Sequence, residues 1–117
     1  REVRYESRHT DNADFLLVGF GMSARLLRSA ADQLGRDGIR AGIFRPVTLW
    51  PFPSAALKEA ARGKKRVLVV EMNAGQMVED VRLAVNGAVP VDFLGTLGGR
   101  TPQVDEIVER VNGYAGT

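Results

Sequence analysis

Two short, uninterrupted apolar runs constrain the fold of this chain more than any other feature. Phe15–Val18 and Val67–Val70 contain no polar residue, which is typical of strands buried on both faces of a parallel sheet. Segments 39–44 and 89–95 are also strand-like, and stretches with helical periodicity separate all four. Strands that alternate with helices predict an α/β fold, in which helices cover both faces of a mostly parallel sheet through right-handed crossovers.

The ends of these elements carry recognisable signals. A weak alternation around Val3 and Tyr5 predicts a short additional edge strand, and Pro90 predicts that the last strand lies at an edge of the sheet. Each predicted helix begins near a residue that can accept the N–H groups of a first turn. These predicted caps are Ser23, Ser54, Asn73 and Thr101, the last followed by Pro102 at the first helical position.

Composition excludes several classes of function. The sequence has no cysteine, which excludes a disulfide framework, a thiolate nucleophile and cysteine-held iron–sulfur or zinc sites within the chain. His9 is the only histidine, so His-based triads and multi-His metal sites are excluded as well. The net charge of +2 predicts neither nucleic acid nor a membrane as a partner, and no apolar run is long enough to span a bilayer.

The length of 117 residues suits one domain with a single core. Because the chain opens on Arg1 rather than Met, we predict that residues 1–117 are a single domain cut from a longer polypeptide.

Bulky and polar residues follow the second and third predicted strands. Arg45 and Pro46 end the second strand, and an apolar, proline-stiffened loop containing Trp50 follows. A loop this apolar is expected to be buried, either in the core or in a contact with another protein. Glu71 ends the third strand, and we predict that its carboxylate pairs with an arginine such as Arg45. Carboxyl ends of parallel strands collect binding surfaces, so the elaborate edge of the sheet should lie here.

A glycine-rich turn offers an alternative. Gly19–Ala24 matches the GxGxxA dinucleotide fingerprint between a strand and a helix, where backbone N–H groups can hold a pyrophosphate. The fingerprint expects an acidic residue about 20 positions further on, but the next strand here ends in Arg45. The turn is therefore either a tight structural turn or the site of a nucleotide- or CoA-binding module. Glu79 and Asp80 are adjacent on a helix and cannot face each other as a catalytic pair.

Two longer motifs resemble a known family. Arg45–Pro53 (RPVTLWPFP) and Glu71–Val81 (EMNAGQMVEDV) resemble the carboxyl-terminal domain of the alpha subunit of 2-oxoacid:ferredoxin oxidoreductases. The 2-oxoglutarate and branched-chain (3-methyl-2-oxobutanoate) members fit best, with 2-oxoglutarate favoured. Gly19–Arg25 and Gly98–Pro102 lie where that family has its first turn and last loop. The resemblance implies a transketolase carboxyl-terminal-like fold: a three-layer α/β/α sandwich whose mostly parallel five-stranded sheet has an antiparallel amino-terminal edge strand.

The resemblance also implies a function for the whole enzyme. That enzyme decarboxylates a 2-oxoacid on thiamine diphosphate and Mg²⁺, forms an acyl-CoA, and passes electrons through iron–sulfur clusters to ferredoxin in the cytoplasm. The present sequence lacks a thiamine diphosphate motif of the GDG…N kind and has no cysteine, so we expect it to contain no catalytic, cofactor-binding or metal-binding residue.

Its implied role is structural, in contact with the beta subunit and any gamma or delta subunit, with ferredoxin and CoA as partners of the whole enzyme. A protein-interaction domain without any enzyme context remains a third alternative. The predicted contact residues are Arg45, Trp50, Pro51, Phe52, Glu71, Asn73 and Gln76.

Overall fold

Strands and helices alternate along the chain as the apolar runs predict. The structure is a computed structural model that describes residues 5–9, 12–20, 24–46, 52–71, 77–95 and 102–115. Within these ranges the elements are β1 Tyr5–Arg8, β2 Phe15–Phe20, α1 Ala24–Arg36, β3 Ala41–Pro46, α2 Ser54–Ala61, β4 Arg66–Glu71, α3 Val78–Val85, β5 Val91–Gly95 and α4 Val104–Ala115.

The strands form one sheet with the order β1-β3-β2-β4-β5. Only β1 runs antiparallel to its neighbour, β3, while the other pairs are parallel. This arrangement confirms the predicted five-stranded mixed sheet with an antiparallel amino-terminal edge strand. β5 forms the other edge, as Pro90 predicts, and it begins directly after that proline rather than at Val89.

Strand alternation divides the core into two layers, one on each face of the sheet. On the α1/α4 face, Leu17 and Leu68 pack with Leu27 and Ile107 of the covering helices. On the α2/α3 face, a second cluster contains Val18, Phe44 and Val69 from the strands together with helix residues such as Leu57 and Val81. Both faces are covered by helices, which confirms the predicted three-layer sandwich.

α2 begins one residue earlier, and α4 two residues later, than their predicted caps indicate. Ser54 is the first residue of α2 rather than its cap, and the carbonyl of Pro53 accepts the N–H of Leu57 at 3.0 Å. α4 begins at Val104, so Pro102 precedes the helix and does not occupy its first position. Just before the helix, the Glu106 carboxylate accepts the N–H of Gln103 at 2.8 Å, which is the glutamate half of a capping box. The predicted caps Ser23, Asn73 and Thr101 lie outside the described residues.

Candidate functional site

The sheet has a topological switch point between β2 and β4. From β2 the chain passes through α1 to β3 on one side, and then through α2 across to β4 on the other side. The last residues of β2 and β4, Phe20 and Glu71, are Cα partners in this ladder. Ligands and contacts of open α/β sheets collect at such a point, beyond the carboxyl ends of the strands. We call the ends of β2, β3 and β4, at Phe20, Pro46 and Glu71, the carboxyl edge.

Glu71 is the most unusual residue of the carboxyl edge. Its side chain is 0% exposed, and it is a buried charged residue at the end of a strand whose other residues are almost all apolar. Its Oε1 accepts the backbone N–H of Met77 at 2.9 Å. Burying a polar group costs less free energy when that group is hydrogen-bonded than when it is not. The bond joins the end of β4 to Met77, the residue that precedes α3.

Arg45 does not lie where the predicted ion pair requires. Its backbone belongs to β3, and strand alternation places it on the α1/α4 face with Ile43. Glu71 alternates with Val69 and therefore faces α2 and α3. Strand β2 also lies between β3 and β4. The predicted pairing of Arg45 with Glu71 therefore finds no support in this geometry.

Phe52 anchors the end of the apolar loop in the core. Its ring is half-buried and packs against the hydrophobic cluster of the α2/α3 face, and Pro53 next to it is buried. The carbonyl of Phe52 accepts the N–H of Ser54 at 2.8 Å, which turns the chain into α2. Phe52 thus faces the same side of the sheet as Glu71. The other predicted contact residues, Trp50, Pro51, Asn73 and Gln76, lie outside the described residues.

The first glycine of the GxGxxA turn has a packing role. An added Cβ at Gly19 would lie 2.5 Å from Cδ1 of the buried Leu27 in α1. The close approach of α1 to β2 at this position therefore requires a residue without a Cβ, whether or not a ligand binds there. Gly21 and Ser23, which would face a pyrophosphate in the fingerprint, lie outside the described residues.

A polar cluster near the opposite end of the sheet has no counterpart among the predicted residues. Asp92 of β5 accepts hydrogen bonds through Oδ2 from Arg110 Nη1, at 3.0 Å, and from the hydroxyl of Tyr114. The guanidinium of Arg66 lies 4.5 Å above the Tyr114 ring, a cation–π contact. The sequence offered two signals for this cluster. One was an aspartate inside an apolar strand, and the other was an arginine and a tyrosine four residues apart on one helix.

This cluster shifts the protonation of its members. Burial raises the pKa of Asp92, but hydrogen bonds from Tyr114, the Phe93 N–H and Arg110 outweigh it and lower that pKa below its ordinary value. Burial and the bond to Asp92 raise the pKa of Tyr114 above its ordinary value. At neutral pH the aspartate is therefore charged and the tyrosine is neutral, as their hydrogen bonds require.

The chain has few side chains that could bind an iron–sulfur cluster or a metal ion. Iron–sulfur clusters are held mainly by cysteine thiolates, and the 117-residue sequence contains no cysteine. In the part of the chain that the structure describes, no group of three or more His, Cys, Asp or Glu side chains is placed to hold a metal ion. Among the same residues, no helix has the length and apolar character needed to cross a membrane.

Residues 13–107 match the protein-family model of pyruvate:ferredoxin oxidoreductase core domain II. Among curated proteins, the ketoisovalerate oxidoreductase subunit VorB of Methanothermobacter thermautotrophicus is 40% identical over 115 residues, which are 98% of this chain and 32% of that protein. The 2-oxoglutarate synthase subunit KorA of Methanothermobacter marburgensis is 36% identical over 104 residues, or 89% of this chain and 28% of that subunit. The chain spans about a third of the length of these relatives.

Solved structures share the same fold. A 2-oxoglutarate:ferredoxin oxidoreductase from Magnetococcus marinus, with 2-oxoglutarate, coenzyme A and succinyl-CoA bound, superposes with a TM-score of 0.81 at 25% identity, over 94% of this chain and 19% of that one. A split-gene transketolase, described as an inactive beta4 tetramer, gives a TM-score of 0.79 at 20% identity, over 94% of this chain and 40% of that one. The second likeness concerns the fold alone.

Proposed function

Because the chain belongs to the pyruvate:ferredoxin oxidoreductase core domain II family, we propose that residues 1–117 form one domain of the alpha subunit of a 2-oxoacid:ferredoxin oxidoreductase. The complete enzyme would oxidatively decarboxylate a 2-oxoacid to an acyl-CoA and reduce ferredoxin. Relatives named for ketoisovalerate and for 2-oxoglutarate make these two acids the substrates to test. The domain itself would be inactive alone and would help to assemble the subunits around the cofactor.

The buried Glu71 carboxylate is the observation that best supports an assembly role. A buried polar group is held in place by the hydrogen bonds it makes, because breaking them inside the protein is costly. Here it holds the end of β4 against the start of α3 through the N–H of Met77. Asn73 and Gln76, which lie in the sequence between Glu71 and Met77, would take part in the contact.

The apolar loop would supply the other part of the contact. Phe52 is fixed against the core, and Trp50 stands two residues before it between stiffening prolines. Rigid aromatic anchors dominate the energetics of protein interfaces. The partners would be the beta subunit and any gamma or delta subunit.

The cofactors would belong to other parts of the enzyme. Thiamine diphosphate with Mg²⁺ and the iron–sulfur cluster would be held outside this domain, since the chain lacks a motif of the GDG…N kind for the first and cysteines for the second. Ferredoxin and CoA would likewise be partners of the whole enzyme. The absence of cysteine fits the reducing cytoplasm in which we place that enzyme.

Trp50→Ala in the full-length subunit tests the assembly role. The subunit is co-expressed with the remaining subunits, and co-purification is compared with 2-oxoacid-dependent viologen reduction per assembled complex. We expect weaker co-purification, with unchanged reduction in the complexes that still form. The matched control is Leu83→Ala, which removes a side chain that is 76% exposed on α3 and is not among the predicted contact residues. Normal assembly with selectively lost decarboxylation would refute the proposal.

A nucleotide- or CoA-binding module at Gly19–Ala24 is the second candidate. The turn follows β2 at the switch point, where ligands of such sheets bind, and the Magnetococcus structure contains coenzyme A. Calorimetric titration of the chain with CoA, NADH and ATP tests this function. Binding that Gly21→Val abolishes would support it, whereas no heat of binding with any of the three would reject it.

A further inference from the structure

The outward side of β5 has an unusual chemistry for an edge strand. β5 pairs with β4 on one side only, and the N–H of Val67 in β4 bonds the carbonyl of Pro90 at 2.9 Å. Residues of a parallel strand turn their backbone groups alternately to one neighbour and the other. Given the register of Val67 with Val91, the backbone groups of Asp92 face β4 and those of Phe93 face away from the sheet.

Both outward groups of Phe93 are bound by side chains. Its N–H donates to Asp92 Oδ1 at 2.8 Å, and its carbonyl accepts from Arg110 Nη1 at 3.1 Å. The same Arg110 nitrogen bonds Asp92 Oδ2 at 3.0 Å, and Tyr114 donates to that oxygen as well. Arg110 and Tyr114 are one turn apart on α4, so a helix packed on the sheet presents both side chains to the strand.

We propose that Asp92, Arg110 and Tyr114, here called the edge cluster, close the β5 edge against pairing with a strand from a second copy of this chain. An open edge offers a row of backbone donors and acceptors that templates such pairing. Phe93 is the central residue of the five-residue strand, so occupying its two groups interrupts the row in the middle. The side chains of Asp92 and Arg110 are 34% and 38% exposed, so the cluster sits on the surface that an added strand would approach.

The edge cluster has a consequence for assembly. A contact that extends the sheet through β5 would have to break the bonds to Phe93, so partners should dock elsewhere on the domain. The inference rests on the hydrogen bonds of β5 and α4 and does not depend on the proposed enzyme function.

Asp92→Ala combined with Arg110→Ala tests the closure by uncovering both groups of Phe93. The matched control is Glu79→Ala combined with Arg82→Ala, which removes an exposed ion pair of 2.8 Å on α3 and also leaves the net charge unchanged. Sedimentation velocity over a concentration series reports self-association, and circular dichroism reports folding. We expect the weight-average mass of the edge variant to rise with concentration beyond that of the parent and the control. A folded edge variant with the parent's concentration dependence overturns the proposal.

Amide hydrogen exchange on the parent chain keeps the test decisive if the double variant does not fold. The Phe93 amide should exchange slowly although it does not face β4, and Asp92→Ala should speed its exchange about tenfold, the effect of losing a hydrogen bond of ordinary strength. Asp92→Asn keeps an oxygen for this amide and should retain most of the protection. A Phe93 amide that exchanges in the parent as fast as in an unfolded chain overturns the proposal.

Discussion

Gly19→Ala should destabilise the domain by overpacking. The new Cβ would lie 2.5 Å from Cδ1 of Leu27 and 3.3 Å from its Cδ2 and Cγ. Leu27 is 0% exposed and packs in the cluster of the α1/α4 face, so its side chain cannot move into solvent. The clash must be relieved by shifting α1 or by forcing Leu27 from its preferred rotamer.

The expected cost follows from two opposing effects. Inserting a methyl group into a packed core costs about 1–3 kcal/mol. Replacing glycine by alanine reduces the conformational freedom of the unfolded chain and recovers about 0.4–1 kcal/mol. The net loss should be about 1–2 kcal/mol, which lowers the Tm of a domain of this size by about 4 °C per kcal/mol.

A double-mutant cycle with Leu27→Ala isolates this contact. Leu27→Ala alone should cost about 2–5 kcal/mol, and in its background Gly19→Ala should be neutral or slightly stabilising because the clashing atoms are gone. Urea unfolding followed by circular dichroism gives the four free energies. Costs that add to within about 0.5 kcal/mol would refute the packing explanation. The glycine would then have to serve another purpose, such as close approach of a ligand.

Three further predictions concern buried or shifted polar groups. Glu71→Ala should cost about 3–5 kcal/mol of unfolding free energy, because it leaves the partly buried Met77 N–H without its acceptor and opens a cavity. Glu71→Gln keeps an acceptor and should cost clearly less, so equal costs would contradict this. The pKa of Asp92 lies below its ordinary 3.8. Its contribution to folding stability is therefore complete above pH 3.8 and is lost as the pH falls through the lowered pKa. Asp92→Asn should reduce the fall of the Tm in acid. The pKa of Tyr114 is raised above its ordinary 10.0, so its contribution to folding stability is complete below pH 10 and is lost as the pH rises further. Tyr114→Phe should therefore flatten the dependence of the Tm on pH above 10. An unchanged alkaline slope would contradict the shift.

The fold was predictable because its strongest signals are local. The continuous run Phe15–Val18 requires burial on both faces, and this is what β2 has in the centre of the sheet. The spacing of Val104, Ile107 and Val111 likewise predicts the buried face of α4, of which Ile107 and Val111 are fully buried. The strand near Tyr5 is too short and too polar for such a signal, and its antiparallel direction came from the family resemblance.

Features that depend on distant parts of the chain were not predictable in this way. The strand order separates Arg45 from Glu71 by β2, which no local pattern around either residue reveals. The N–H of Met77, just before α3, is bound by the carboxylate of Glu71 in the preceding strand, which no local pattern indicates.

The edge cluster joins Asp92 to Arg110 and Tyr114, which lie 18 and 22 positions further along the chain. In the sequence, these residues resemble a polar interruption of a strand and the exposed side of a helix. Their contact depends on the packing of α4 beside β5, which local patterns do not reveal.

Reconstitution of the whole enzyme tests the central claim most directly. The full-length subunit is co-purified with its partner subunits, and viologen reduction is measured with 2-oxoglutarate and with ketoisovalerate, each in the presence of CoA and thiamine diphosphate. An assembly domain of a 2-oxoacid:ferredoxin oxidoreductase predicts reduction by the complex with at least one of these acids and none by this chain alone. If no partner co-purifies and neither acid supports reduction, the account is contradicted.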